Sequence, residues 1–147
     1  MGVLHVLPEL AQTVTVPPAV QEELETGRRL GLNLPDLQML DWITMRRPSS
    51  SIALPLVTDL GPGEREVLAL ALETPDSVCI LDDSLARQVA KTLQLRLTGT
   101  LGILIDAKSR GIISAVGPLF DQLQSFGFRL APQTRAAALK LASELQT

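Results

Sequence analysis

The sequence predicts an α/β fold in which a mainly parallel sheet carries helices on both faces, a three-layer α/β/α sandwich. Two observations predict it. Short β-type runs alternate with amphipathic helices along the chain, and such alternation is typical of parallel sheets with helical crossovers. Residues 78–81 are continuously apolar, as in a strand covered on both faces. A chain of 147 residues suits one domain, which we place at residues 1–147.

The first half of the chain contains two strand candidates and two helices. Residues 13–16 alternate with period two and stop at a Pro-Pro pair, which suits a helix that begins with proline and runs to about Gly31. Residues 42–45 are the second strand candidate. A Gly-Pro-Gly turn then introduces the clearest helix, over residues 64–73, whose apolar side chains recur at helical spacing.

The second half continues the alternation after the strand at residues 78–81. Asp82, Asp83 and Ser84 turn this strand into a helix. Residues 95–97 are the fourth strand candidate. Three further helices are expected at about residues 100–110, 116–127 and 133–146.

Composition excludes several classes of protein. Charges or turn residues interrupt every apolar stretch well before the ~18 residues of a membrane span, and the first residues lack a basic region and a cleavage site typical of a secretory signal. We therefore expect a cytoplasmic protein without a membrane partner. Cys79 is the single cysteine and His5 the single histidine, which excludes an internal disulfide and any mechanism that needs two histidines. Cys79, within an apolar run, is expected to be a core residue, and His5 a surface or packing residue.

Charge is unevenly distributed along the chain. Residues 1–83 hold 5 basic and 13 acidic side chains, whereas residues 84–147 hold 8 and 3. The net charge of −3 is by itself a weak argument against a nucleic-acid partner. The asymmetry suggests an acidic site facing a basic surface, although solvated helix faces also differ by chance.

Carboxylates stand where a functional site of this fold class is expected. Asp82 and Asp83 follow an apolar strand, and ligands of open α/β sheets bind beyond the carboxyl ends of the strands. An aspartate before a helix is also a favoured cap, worth about 1 kcal/mol, so we expect one of the two to cap and the other to be available. Glu64 and Glu66 fall in a first helical turn, where acids complement the helix dipole. Glu23 lies on the first helix near its inward side.

Blocks in a fixed order carry a resemblance to a known family. They are Leu60-Gly61-Pro62-Gly63-Glu64-x-Glu66, Ala69-Leu70-Ala71-Leu72, Ile80-Leu81-Asp82-Asp83, Ala86-Arg87, Leu97-Thr98-Gly99-Thr100-Leu101-Gly102 and Ala107-Lys108-x-x-Gly111. Over residues 3–132 the chain resembles an uncharacterised family of PIN-like proteins, related to the PIN toxin ribonucleases.

The resemblance implies hydrolysis of RNA phosphodiesters by Mg²⁺ or Mn²⁺ bound to carboxylates. Such hard cations take oxygen ligands and activate water for in-line attack. Position by position, the resemblance implies catalytic roles for Glu23, Glu64, Asp82 and Asp83, the last three as metal ligands. It implies that Glu66, Thr98 and Thr100 flank the pocket, although helix capping is an equally good reason for the two threonines.

The beginning of the chain departs from the family pattern. Family members open with a strand that ends in an aspartate, followed by a helix whose end resembles residues 3–10 of this chain. The comparison therefore suggests that the first strand and the first catalytic aspartate are missing, which would leave a gap between the strands at Val14 and Val78. A start upstream of Met1, an altered sheet, or another chain covering the gap would each explain this. A weakened or inactive nuclease is expected in the last two cases.

Basic residues would hold RNA in a nuclease of this kind. Residues 84–115 contain five bases against one acid; the bases are Arg87, Lys91, Arg96, Lys108 and Arg110. RNA phosphates, an antitoxin protein and further copies of the chain are the expected partners. The alternative is a catalytically degenerate PIN-like interaction module. A flavodoxin-like or receiver domain fits poorly, because the lysine that a receiver needs after a later strand is lacking.

Overall fold

The computed structural model describes residues 2–49 and 59–144. These residues contain seven α-helices and four strands. In chain order they are α1 (Val6–Leu10), β1 (Val14–Val16), α2 (Pro18–Arg29), β2 (Ile43–Met45), α3 (Pro62–Glu73), β3 (Cys79–Ile80), α4 (Ser84–Thr92), β4 (Leu97–Thr98), α5 (Thr100–Ser109), α6 (Gly117–Ser125) and α7 (Pro132–Leu141), with a short 3-10 helix at Leu37–Met39. The four predicted strands and six predicted helices are all present. The seventh helix, α1, lies in the segment that resembles the end of a family helix, and the 3-10 helix was not predicted.

The chain divides into two compact units. One consists of Met1–Gln12 together with Thr100–Thr147, and the other of Thr13–Gly99. All four strands belong to the Thr13–Gly99 unit, and α1, α5, α6 and α7 belong to the other. The single domain expected from the sequence stays a prediction.

The strands form two parallel pairs. β1 pairs with β2, with Val14 opposite Ile43, and β3 pairs with β4, with Cys79 opposite Leu97. The α/β class and the parallel pairing are therefore confirmed. No strand ladder joins the two pairs within residues 2–49 and 59–144. That arrangement is expected if a strand between β1 and β3 is missing, but the missing strand and the three-layer sandwich stay predictions.

The core of the Thr13–Gly99 unit forms where α3, β3 and α4 meet. Leu68 on α3 and Ala86 and Ala90 on α4 are fully buried against β3. Along β3 and its flanks, Cys79 and Leu81 are buried, whereas Val78 and Ile80 are 46% and 44% exposed. The prediction of a strand covered on both faces is therefore wrong, since alternate side chains point to opposite faces and only one face meets the core.

Cys79 is a core residue, as predicted. It is 4% exposed, and burial raises the pKa of its thiol above the ordinary value. The thiol therefore stays protonated at neutral pH, and a buried neutral thiol is a poor nucleophile.

Several element boundaries differ from the prediction, and two of the differences have a clear local cause. Helix α3 begins at Pro62, not at residue 64, because proline at the first helical position has the right φ and needs no N–H partner. Strand β4 begins at Leu97, not at residue 95. Gln94 has a left-handed φ of 59°, and the N–H of Leu95 donates to the carbonyl of Ala90 at 2.9 Å. Leu95 therefore belongs to the turn that ends α4.

The other unit has its own core around α6. Phe120 and Val116 are 0% exposed, and Leu104 from α5 and Ala138 from α7 pack in the same cluster. In the part of the chain that the structure describes, no helix has the length and apolar character needed to cross a bilayer.

Candidate functional site

An open cleft of about 130 Å³ lies at the carboxyl end of β3. It is lined by four carboxylate residues from three elements: Glu23 from α2, Glu64 from α3, and Asp82 and Asp83 from the turn between β3 and α4. Apolar side chains, among them Ile80, complete the walls. The structure thus brings to one cleft, the acidic cleft, the four residues for which sequence reasoning predicted catalytic roles.

Helices α2 and α3 cap each other with carboxylates. Glu23 on α2 accepts a hydrogen bond from the N–H of Gly63 at 3.1 Å, and Glu66 on α3 accepts one from the N–H of Ala19 at 3.1 Å. The N-cap residues Pro17 and Gly61 make no side-chain cap, so the first-turn N–H groups depend on these partners. Both carboxylates therefore stabilise the α2–α3 pair, and only Glu23 also lines the cleft.

The two aspartates after β3 have different surroundings. Asp83 is the N-cap of α4, and its Oδ2 accepts from the N–H of Ala86 at 2.9 Å. Asp82 lies against Gly99, where an added Cβ would stand only 2.7 Å from its Oδ1. The expectation that one of the pair caps a helix is therefore confirmed, and the capping residue is Asp83.

Glu64 lies in the first turn of α3 and is partly buried. Its side chain folds back toward Gly61, where a Cβ would stand 2.5 Å from Oε2. Because Gly61 has no side chain, the Glu64 carboxylate can lie against the Gly61 backbone beside the cleft.

The predicted flanking residues are more scattered. Thr98 is in β4, where its carbonyl accepts from the N–H of Leu81 at 2.9 Å. Thr100 begins α5 and belongs to the other unit. Of the described residues of the Thr13–Gly99 unit that line the cleft, none is Thr98 or Glu66.

The predicted RNA-binding bases of the Thr13–Gly99 unit differ in exposure and bonding. Arg87 is partly buried, and its Nη1 donates to the carbonyl of Leu81 at 2.7 Å. Lys91 and Arg96 are exposed. Since Lys91 lies one helical turn beyond Arg87 on α4, the two offer a matched comparison of a bonded and an exposed cation.

The two predicted RNA-binding bases of the other unit, Lys108 and Arg110, form ion pairs with acidic side chains. Lys108 donates from Nζ to the carbonyl of Ala142 at 2.9 Å and to Glu144 at 3.2 Å. Arg110 pairs with Asp106 at 3.4 Å, an exposed contact one turn apart on the helix. These contacts occupy both cations within their own unit.

Glu144 links three parts of its unit. Its oxygens accept from the N–H groups of Val116 and Gly117 at 2.7 and 3.0 Å, and Lys108 donates to it. Desolvation raises the pKa of this carboxyl, but the two backbone N–H groups and the Lys108 ammonium outweigh it, so the pKa lies below the ordinary glutamate value. The carboxylate therefore caps the beginning of α6.

Glu144→Gln is expected to lower the thermal unfolding temperature most at neutral pH. Because the folded-state pKa is lowered, the carboxylate stabilises the fold above the unfolded pKa, and this stabilisation is lost as pH falls through the folded pKa. The two chains should therefore converge toward acidic pH. Melting curves at pH 7 and at several values below 4.5 test this, and a constant difference at every pH would contradict it.

A larger cleft of about 380 Å³ lies elsewhere on the Thr13–Gly99 unit. Its walls carry both signs of charge, and Arg28 and Asp36 form an ion pair across 3.3 Å. Because its charges largely neutralise one another, this cleft offers no clear ligand chemistry, and the acidic cleft remains the candidate site.

A comparison with models of known protein families shows which family the chain belongs to. The family model DUF3368, described as a PIN domain, matches residues 1–144. The chain belongs to this PIN domain family. The resemblance inferred from the ordered sequence blocks is thereby confirmed. No curated protein and no solved structure gives a significant match.

The ligand atoms in the acidic cleft of this PIN domain suit a hard divalent cation, but among the described residues their spacing does not form a complete metal site. The acidic cleft offers carboxylate oxygens, the ligands that Mg²⁺ and Mn²⁺ prefer. Within residues 2–49 and 59–144, however, no three acidic, histidine or cysteine side chains stand close enough together to hold a metal ion. Cation binding in this cleft therefore requires side-chain movement or further oxygen ligands.

Sequence reasoning missed the residues that contact the acidic side chains of this PIN domain cleft. Gly99 and the guanidinium of Arg87 lie beside Asp82, yet the sequence marks Arg87 only as one of several bases. The Glu66 cap was missed as well. A signal was available for Gly99, because glycine after a strand often marks a close approach of other atoms to the backbone.

Proposed function

We propose that this PIN domain is a metal-dependent, toxin-like ribonuclease that hydrolyses RNA phosphodiesters. The acidic cleft at the carboxyl end of β3, with Glu23, Glu64, Asp82 and Asp83 in its walls, carries the proposal. Four carboxylates gathered around one cleft repel one another, and a bound cation offsets that repulsion. Membership of the PIN domain family supports the same class of chemistry.

Glu64 and Asp82 are the proposed principal ligands of the cation. Glu23 and Asp83 each commit one oxygen to a backbone N–H and keep a second oxygen, so we assign them supporting roles. A bound Mg²⁺ or Mn²⁺ would polarise the scissile phosphate and lower the pKa of a bound water. The protein itself supplies the negative charge that attracts the cation.

RNA recognition is proposed to be mainly through the phosphate backbone. The chain has no tyrosine and only 3% aromatic residues, so base stacking contributes little. Lys91 and Arg96 are exposed cations of the same unit and are suited to phosphate contacts.

A second candidate is a non-catalytic interaction module with the same fold. The absence of a metal-holding group of three among the described residues favours it, as do the structural duties of Glu23 and Asp83. A domain of this kind would keep the capped helices and lose the metal.

Cleavage of a mixed RNA pool tests the two candidates. The full chain is incubated with RNA and Mn²⁺ or with a chelator, beside Asp82→Asn and the control Asp76→Asn. Asp76 is exposed, has a φ of 64°, and tolerates asparagine because that residue also adopts left-handed backbone. We expect Mn²⁺-dependent cleavage by the wild type and by Asp76→Asn, with a loss of roughly 100-fold in Asp82→Asn. An inactive wild type that also shows no Mn²⁺ binding by calorimetry would contradict the nuclease and support the interaction module.

A further inference from the structure

Both backbone polar groups of Leu81, directly after the end of β3, form hydrogen bonds. Its N–H donates to the carbonyl of Thr98 on β4 at 2.9 Å, and its own carbonyl accepts from Arg87 Nη1 at 2.7 Å. Leu81 is only 5% exposed, so both bonds are largely shielded from water, and a charged donor makes the second one stronger than a neutral hydrogen bond. The bond to Thr98 therefore orients the peptide group before Leu81, and the bond from Arg87 orients the peptide group between Leu81 and Asp82.

Gly99 supplies the space for this arrangement. A Cβ built on it would stand 2.7 Å from Asp82 Oδ1, 3.0 Å from Arg87 Nη1 and 3.3 Å from the Leu81 carbonyl oxygen. At these distances the neighbouring atoms would have to shift. Two groups from the turn after β3, the Leu81 carbonyl and the Asp82 carboxylate, and one from α4, the Arg87 guanidinium, therefore converge on Gly99, the residue directly after β4. The Asp82 carboxylate and the Arg87 guanidinium thus lie near each other and are opposite in charge.

We infer that Arg87 is a positioning residue that sets the Asp82 carboxylate in the acidic cleft, and that it is not a principal contact for RNA phosphates. The inference rests on the proposed function, because the proposed function makes Asp82 a ligand of the cation. It changes the RNA-binding role that the sequence predicted for Arg87. Lys91, exposed one turn farther along α4, keeps that role and provides the control.

Two binding measurements on the full chain separate the roles. Mn²⁺ affinity is measured by calorimetry, and affinity for a 12-nucleotide oligouridylate is measured over a series of KCl concentrations, for the wild type, Arg87→Gln, Arg87→Lys and Lys91→Gln. We expect Arg87→Gln to weaken Mn²⁺ binding by about tenfold or more without changing the salt slope. Arg87→Lys should recover part of the affinity, because an ammonium also donates to the Leu81 carbonyl.

Lys91→Gln is expected to show the opposite pattern. Its Mn²⁺ affinity should equal that of the wild type, while the slope of log affinity against log salt should fall by about 0.7, the value of one phosphate contact on single strands. If Arg87→Gln instead keeps its Mn²⁺ affinity and loses the same slope, Arg87 is a phosphate contact and the inference is overturned, while the proposed function stands.

If the wild-type chain binds no Mn²⁺, the proposed function fails, and this result is distinct from a failure of the inference about Arg87. The positioning role is then measured by hydrogen exchange of the Leu81 amide, which the structure places in a bond to Thr98. Exchange about tenfold faster in Arg87→Gln than in the wild type and Lys91→Gln supports the role. Equal exchange in all three chains overturns it.

Discussion

Glu64→Gln is expected to reduce Mn²⁺-dependent RNA cleavage by roughly 100-fold or more while leaving the fold intact. The substitution keeps the size of the side chain and removes the negative charge that lines the acidic cleft. Stability should change little, because the amide keeps the shape and most of the packing of the carboxylate. Single-turnover cleavage rates and thermal unfolding measure the two quantities on the same preparations.

Glu66→Gln is the matched control for this substitution. Glu66 lies two residues farther along α3, accepts from the N–H of Ala19, and does not line the acidic cleft. An amide oxygen still accepts that hydrogen bond, so cleavage should stay close to the wild-type rate, with a modest loss of stability from the weaker cap. Equal losses of cleavage in the two variants would show that the charge of α3 as a whole matters, and would contradict a specific role for Glu64.

Phe120→Ala is expected to lower the free energy of unfolding by about 3–5 kcal/mol. Phe120 is 0% exposed at the centre of the α6 core, and the Arg135 guanidinium lies 5.9 Å from the centre of its ring. Truncation would leave a cavity and remove this cation–π contact. Chemical denaturation followed by circular dichroism measures the change.

Phe126→Ala is the control, since it removes the same kind of side chain directly after the end of the same helix. Phe126 is 73% exposed, so its truncation should change stability by less than about 0.5 kcal/mol. Equal effects of the two substitutions would contradict the assignment of Phe120 to the core.

The same experiment tests the single-domain prediction. Trp42 is the only tryptophan and lies in the Thr13–Gly99 unit, whereas Phe120 belongs to the other unit. In one cooperative domain, Phe120→Ala shifts the fluorescence and circular dichroism transitions together. A fluorescence transition that stays at the wild-type midpoint would show that the units unfold separately.

Much of the secondary structure was predictable because its causes lie close together in the sequence. Proline in the first turn and apolar side chains at helical spacing are local features, and they located α2 and α3 to within two residues. The turn of Asp82 and Asp83 after an apolar strand was likewise sufficient to predict that one of the two caps a helix and that a carboxylate lies at a strand end, whereas the structure identified Asp83 as the cap. Such features join residues only a few positions apart, so they can be recognised in the sequence.

The roles of individual charges were decided only by the tertiary structure. Glu23 and Glu66 accept from backbone N–H groups that lie 40 and 47 residues away in the chain, and Lys108 pairs with a glutamate 36 residues away. No local pattern specifies such partners. A sequence shows that a charge exists, whereas its role depends on which donors or acceptors the folded chain brings within about 3 Å. The sequence therefore named the four carboxylates of the acidic cleft, and only the structure showed that Glu23 accepts a hydrogen bond from the N–H of Gly63 on another helix.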